Sequence, residues 1–262
     1  MSNLLQGKRG IITGVANERS IAWGCAKAAA EQGTELIFTY LGEAQEKRVR
    51  KLIDDLPGAQ CFPCDVTSDE DIATFFGHVK SQWDSIDFLV HSIAFADKDD
   101  LTGRFIDTSR KNYAMAIDIS AYSLLGLTRE AEPLMTNGGS IVAMTYYGAE
   151  KVMPRYNVMG VAKATLEATA KYLASDLGPQ NIRVNCVSAG PVRTLSSAAI
   201  SGFKKMLNTT AENAPLRRNI TQYEVAQSTL YLLSDMSTGV TGEVHHVDSG
   251  YNILGMFANE DL

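Results

Sequence analysis

Cysteine is scarce in this sequence: Cys25, Cys61, Cys64 and Cys186 are too few and too scattered in 262 residues for a disulfide scaffold. Cys61-Phe-Pro-Cys64 has the spacing of a redox pair, but it has neither the helix start of a thioredoxin-like unit nor a second ligand pair for a metal. The four histidines (His78, His91, His245, His246) are not spaced as a ligand set, so no metal is expected. Positive charge is not in excess: 24 Lys and Arg face 30 Asp and Glu, a net charge of -6 that offers no footprint for nucleic acid or an anionic membrane. No apolar run approaches the roughly 18 residues needed to cross a bilayer. The first residues, Met1 to Arg9, lack a signal-peptide core, and a cytoplasmic chain is expected. Internal repeats and Pro-, Gly- or Ser-rich linkers are also missing, so residues 1–262 are expected to form a single domain.

The composition that is present, 45% hydrophobic and 21% charged, suits a globular protein whose partners are small molecules or proteins. Strand-like runs recur at Gly10 to Thr13, Glu35 to Thr39, Asp87 to Val90, Ser140 to Met144, Ile182 to Val187 and Val244 to Val247, with a weaker one at Gln60 to Phe62. Helical periodicity falls between them, at Ile21 to Gln32, Ala44 to Asp55, Asp69 to Gln82, Asn112 to Met135, Tyr156 to Leu177 and Gln222 to Leu233. This alternation predicts an α/β fold, a Rossmann-like doubly wound parallel sheet with helices on both faces. Ligands of such sheets bind beyond the carboxyl ends of the strands, so functional residues should follow strands.

The turn after the first strand contains Gly14 and Ser20-Ile21 at the start of a helix, where backbone N–H groups can face a dinucleotide pyrophosphate. Gly14 permits the tight turn, Ser20 can cap the helix or reach a phosphate, and Gly24 suits close packing of helix on strand. The usual Gly-x-Gly-x-x-Gly is absent, and a plain capped turn is the alternative. After the second strand, around Leu41, neither the acid of an NAD site nor the arginine of an NADP site stands at the strand end. Asp65 and Val66 are placed to contact adenine, unless Asp65 only closes its turn.

Tyr156 and Lys163 lie seven residues apart on a predicted helix, close to two turns, and so project from one face. A lysine cation beside a phenol favours the phenolate and makes the hydroxyl a better proton donor. Hydride transfer to an unsaturated substrate leaves charge on an oxygen that needs such a donor.

These elements, with Cys64-Asp65-Val66, His91-Ser92-Ile93-Ala94-Phe95-Ala96, Tyr146, and Ser188-Ala189-Gly190-Pro191-Val192-Arg193-Thr194-Leu195, resemble the short-chain dehydrogenase/reductase superfamily, and within it the bacterial enoyl-acyl-carrier-protein reductases. Carbonyl-reducing members carry a serine thirteen positions before the tyrosine, where this chain has Ala143, and a mid-helix asparagine that is missing from Ile117 to Ser123. Enoyl reductases have a tyrosine ten positions upstream, which is Tyr146 here, although Tyr147 stands beside it.

The resemblance implies reduction of a trans-2-enoyl thioester by NADH, rather than NADPH, in fatty acid elongation, with the acyl carrier protein as partner. It implies Tyr146, Tyr156 and Lys163 as catalytic residues. Gly14, Ser20, Ile21, Leu41, Asp65, Val66, Ile93, Lys163, Val192, Thr194 and Ser196 would bind cofactor, and Ala96, Tyr146 and Tyr156 substrate. It also implies a homotetramer, which the apolar stretch Tyr251 to Phe257 would suit. A loop and short helix at about 194–207, with Ile200, Phe203, Met206 and Leu207 on one face, would cover the acyl chain. Lys204 and Lys205 on its polar side would meet the acidic carrier. The alternatives are a carbonyl reductase of the same superfamily, against which Ala143 argues, and a non-catalytic dinucleotide-binding regulator, against which Tyr156 and Lys163 argue.

Overall fold

Runs rich in branched and aromatic residues form seven strands: β1 (Arg9–Ile12), β2 (Glu35–Tyr40), β3 (Gln60–Pro63), β4 (Phe88–His91), β5 (Gly139–Thr145), β6 (Ile182–Ala189) and β7 (Val244–Val247). The computed structural model describes residues 3–195, 197 and 202–257. All strands join one sheet in the order β3-β2-β1-β4-β5-β6-β7, every neighbouring pair parallel. Parallel neighbours need long crossovers, supplied here by α1 (Ile21–Ala30), α2 (Gly42–Ile53), α3 (Asp69–Gln82), α4 (Arg110–Ile117), α5 (Ser123–Ala131), α6 (Asn157–Leu177), α7 (Phe203–Asn213) and α8 (Gln222–Leu233).

Successive strand side chains point to opposite faces, so each face builds its own core. Ile12 packs with residues of α1, α2 and α8, whereas Ile11 packs with α3, α5 and α6. The doubly wound sheet is therefore as expected. The chain winds outward from β1 to β3 and then crosses to β4 on the other side of β1, which opens a crevice beyond the carboxyl ends of β1 and β4.

Three local expectations are corrected. Ser20 takes the N-cap position of α1, but its side chain caps nothing; the hydroxyl donates to Asn17 O at 2.6 Å instead. Gly24 serves packing of helix on helix rather than on strand, since a Cβ there would come within 2.5 Å of Gln222 Cγ at the start of α8. The helix expected from Asn112 to Met135 is broken: α4 gives way to a π-helical turn at Asp118–Tyr122, then α5, then a 3-10 turn at Glu132–Leu134. At the first residue of α5 the Ser123 hydroxyl donates back to Ile119 O of the turn at 2.6 Å.

Cys61 and Cys64 are free and buried, and burial pushes the Cys64 thiol up to about 12. His91 is also buried, and its Nε2 lies 2.8 Å from Ser123 Oγ. Burial first, and then Lys163, hold its imidazole down to about 3, so it stays neutral. Among the described residues no helix is long and apolar enough to cross a membrane.

Candidate active site

The turn after β1 is pressed against the end of β4. Gly14 has φ 83°, and a Cβ there would sit 2.0 Å from Ser92 O, so both the backbone conformation and the space require glycine. Ile21 opens α1 beside it. The turn is pinned from two other elements: Gln45 of α2 donates to Val15 O at 2.9 Å, and Gln222 of α8 donates to Glu18 O and Ser20 O. Neither glutamine had a signal in the sequence, because only the packing of α2 and α8 brings them to the turn.

Tyr146 and Tyr156 meet edge to face, ring centroids 4.8 Å apart, beyond the end of β5. Tyr147 turns the other way: its hydroxyl donates to Asn252 O at 3.1 Å and its ring packs against His246 and Tyr251. The inward ring is thus Tyr146. Thirteen positions before Tyr156, Ala143 is fully buried within β5 and contributes no hydroxyl.

Lys163 is buried, and its Nζ donates to Met144 O at 2.7 Å. Burial lowers its pKa from 10.5 to about 8, offset in part by Cys186 and Glu167. Glu167, one turn further along α6, is also buried and accepts from Thr145 Oγ1 at 2.6 Å. The expected depression of the Tyr156 phenol by Lys163 is not what this arrangement produces. Burial pushes Tyr156 well above the usual tyrosine range, and Tyr146 and Glu167 add to the shift. Desolvation is the largest of these causes, because burial penalises the charged phenolate.

A family model described as Enoyl-(Acyl carrier protein) reductase matches residues 14–252, nearly the whole sheet and both tyrosines. The chain belongs to this family. It is 56% identical over 257 residues to the NADH enoyl-[acyl-carrier-protein] reductase 1 of Rhizobium meliloti (strain 1021), covering 98% of this chain and 94% of that protein. Its fold matches a Bacillus cereus enoyl-acyl carrier protein reductase solved with NADP+ and an indole naphthyridinone, at TM-score 0.95 and 52% identity, covering 98% of this chain and 100% of the other. A reductase of Anaplasma phagocytophilum in complex with NAD matches at TM-score 0.94 and 50% identity, covering 99% and 97%.

Leu41 is exposed at the start of α2, and its backbone N–H donates to Gln45 Oε1 at 2.8 Å. Val66 is buried; Asp65 Oδ1 accepts from Thr67 N at 2.9 Å and Thr67 Oγ1 at 2.7 Å, closing the turn after β3. Ile93 and Val192 are half-buried against the two cores. Thr194 is tied to Ser197, whose hydroxyl accepts from Thr194 N at 2.8 Å; Ser196 and Ile200 lie outside the described residues.

The crevice fits a dinucleotide on two counts. The Gly14 turn meets the β4 loop with no room for a side chain, so backbone lines it. Lys163 has three donors and, among the described residues, one acceptor, which leaves N–H groups for ribose hydroxyls.

α7 reaches Asn213, beyond the short helix expected to end near 207. Tyr146 donates to Met206 Sδ at 3.3 Å, so this helix lies directly over the tyrosine pair. Ala96 is half-buried in the loop after β4. Ser120 of the π-helical turn clasps the residue before it, accepting from Phe95 N at 3.0 Å and donating to Phe95 O at 3.1 Å. The π-helical turn that interrupts the predicted helix therefore holds the loop after β4.

Proposed function

We infer that the chain reduces the carbon–carbon double bond of a trans-2-enoyl thioester carried on acyl carrier protein, with NADH as reductant, and thereby completes a cycle of fatty acid elongation. The observation that carries this reading is the edge-to-face Tyr146–Tyr156 pair beneath α7, with Tyr156 buried and Ala143 where a carbonyl reductase needs a hydroxyl.

Bound NADH supplies the hydride, which adds to the carbon beta to the thioester carbonyl. The double-bond electrons move to the carbonyl oxygen, and the Tyr156 hydroxyl donates a hydrogen bond to the resulting enolate. Protonation at the alpha carbon gives the saturated acyl thioester. Lys163 holds the nicotinamide ribose. Gly14, Ser20 and Ile21 hold the pyrophosphate, and Leu41, Asp65 and Val66 the adenosine end. Ile93, Val192 and Thr194 line the nicotinamide half; Ser196, expected beside them, lies outside the described residues. Ala96 and Tyr146 shape the acyl site, and α7 covers it; residues 196 and 198–201 of the segment expected at about 194–207 lie outside the described residues.

Absorbance at 340 nm tests the reading with a trans-2-enoyl thioester and NADH or NADPH in separate reactions. NADH oxidation with a saturated product supports it; inertness toward enoyl thioesters with turnover of 3-ketoacyl thioesters overturns it.

Lys204 and Lys205 are exposed on the first turn of α7 and form the docking point for the acidic carrier. Reversing both charges, Lys204→Glu with Lys205→Glu, should lower kcat/KM about tenfold for carrier-bound substrate at low salt. A short pantetheine thioester should be unaffected; equal effects on both substrates would remove the lysines from the docking surface. The reading also carries a cytoplasmic location and a homotetramer, in which Ile253, Met256 and Phe257, exposed on the single chain, are covered. Light scattering should then give about four times the chain mass of 28.5 kDa. A monomer mass would count against the assembly.

A further inference from the structure

Tyr156 sits just before the first residue of α6, where helical hydrogen bonding does not yet fix the backbone. Its neighbours on both sides are in the sparsely populated left-handed region: Arg155 has φ 63° and Asn157 φ 38°. Asparagine tolerates this conformation better than most residues because its short amide can bond to nearby backbone. In this chain the amide bonds far away in sequence. Asn157 Nδ2 donates to Asp100 O at 3.0 Å and to Gly103 O at 3.4 Å, 57 and 54 positions apart from it along the chain.

Both acceptors lie in the segment that follows β4, at and just after a 3-10 turn at Lys98–Leu101. The near end of that segment is held by the Ser120 clasp on Phe95, and Ala96 lies between the two anchor points. A primary amide has two N–H donors, and the two carbonyls use both. Asparagine thus meets two requirements at one position, a left-handed backbone and a neutral double donor.

We propose that Asn157 is a positioning residue for Tyr156, its amide tying the start of α6 to the 98–103 segment so that the phenol and the substrate-side loop keep one register. The proposal rests on Tyr156 as the donor to the substrate oxygen. Small displacements of a reacting group carry large rate penalties, so the effect belongs in kcat. The β1 turn lies on another element, and Lys163, almost two turns further along α6, is held by its own bond to Met144 O, so the cofactor contacts should not change.

Three variants of the full chain test this with NADH and a trans-2-enoyl thioester, read as kcat, KM, NADH affinity and melting temperature. Asn157→Gly accepts the left-handed backbone and removes only the amide; kcat should fall about tenfold with NADH affinity and melting temperature unchanged. Asn157→Asp keeps the size and the tolerance for positive φ but turns a carboxylate onto two carbonyls. Its kcat should fall further than that of the glycine variant, and it supplies the answer if the glycine variant does not fold. Wild-type kcat in the folded variants overturns the proposal, as does a loss of activity matched by parallel losses of NADH affinity and melting temperature. Tyr156→Phe is run alongside. Full activity there would overturn the catalytic reading and the proposal together, whereas an impaired Tyr156→Phe beside unimpaired Asn157 variants would overturn the proposal alone.

Discussion

Replacing Tyr156 with phenylalanine should lower kcat about 100-fold while leaving NADH affinity unchanged, the usual cost of losing one donor to a developing oxyanion. The ring is 9% exposed and packs edge to face on Tyr146, so phenylalanine keeps the packing and removes only the hydroxyl. Tyr146→Phe should cost less, because that hydroxyl is directed to Met206 Sδ. The pH dependence separates Tyr156 from Lys163. Burial, Tyr146 and Glu167 all push the phenol upward, so Tyr156 remains a donor at neutral pH and above, and its own titration gives no falling limb near pH 8. A falling limb near pH 8 belongs instead to Lys163, whose pKa is lowered to about 8. Lys163→Arg should move that limb to higher pH, and Tyr156→Phe should leave it in place in the residual activity. A limb that disappears in Tyr156→Phe would reverse the assignment.

Lys163→Met should stabilise the chain at pH 7 in the absence of NADH while weakening NADH binding by about 10- to 100-fold, the worth of a charge-assisted hydrogen bond. The lysine has a pKa of 10.5 when unfolded and about 8 when folded, so below pH 8 it is charged in both states and the folded state bears the cost of burying the charge. The difference corresponds to about 3 kcal/mol as an upper figure. Between pH 8 and 10.5 the unfolded chain binds more protons than the folded one, so wild-type stability should rise with pH across that window, and the methionine variant should lack the slope. Urea unfolding at pH 7 and 10.5 measures both, and NADH fluorescence titration measures the binding. A methionine variant less stable than wild type at pH 7 would show that the Met144 carbonyl and Glu167 already compensate the buried ammonium. The expected outcome is a residue retained for binding at a cost in stability.

Much of the fold was legible because local chemistry and burial agree. The helices at Asp69–Gln82 and Gln222–Leu233 lie where their periodicity placed them, and each has a side-chain cap, Ser68 on Asp71 N and a Thr221–Glu224 capping box. The parallel sheet followed from alternation alone. The helix across 112–135 was not legible as broken, because its π-helical turn lies where Ser120 clasps Phe95 of the loop after β4, and apolar periodicity carries no trace of that contact. Tyr146 and Tyr147 are adjacent and chemically alike; only packing after β5 separates the ring that meets Tyr156 from the one buried against His246 and Tyr251. The spacing of Tyr156 and Lys163 located both residues, but it could not say whether charge or desolvation would set the phenol.

The amino-acid sequence by itself determined the order of strands and helices along the chain and the doubly wound sheet. Those properties depend on periodicity and on residue types at short spacing. Tertiary structure alone decided which tyrosine faces Tyr156, how burial sets the protonation of Tyr156 and Lys163, and that Asn157 reaches back to Asp100 and Gly103. Each of these depends on contacts between segments distant along the chain and on how completely water is excluded, and the local sequence pattern encodes neither.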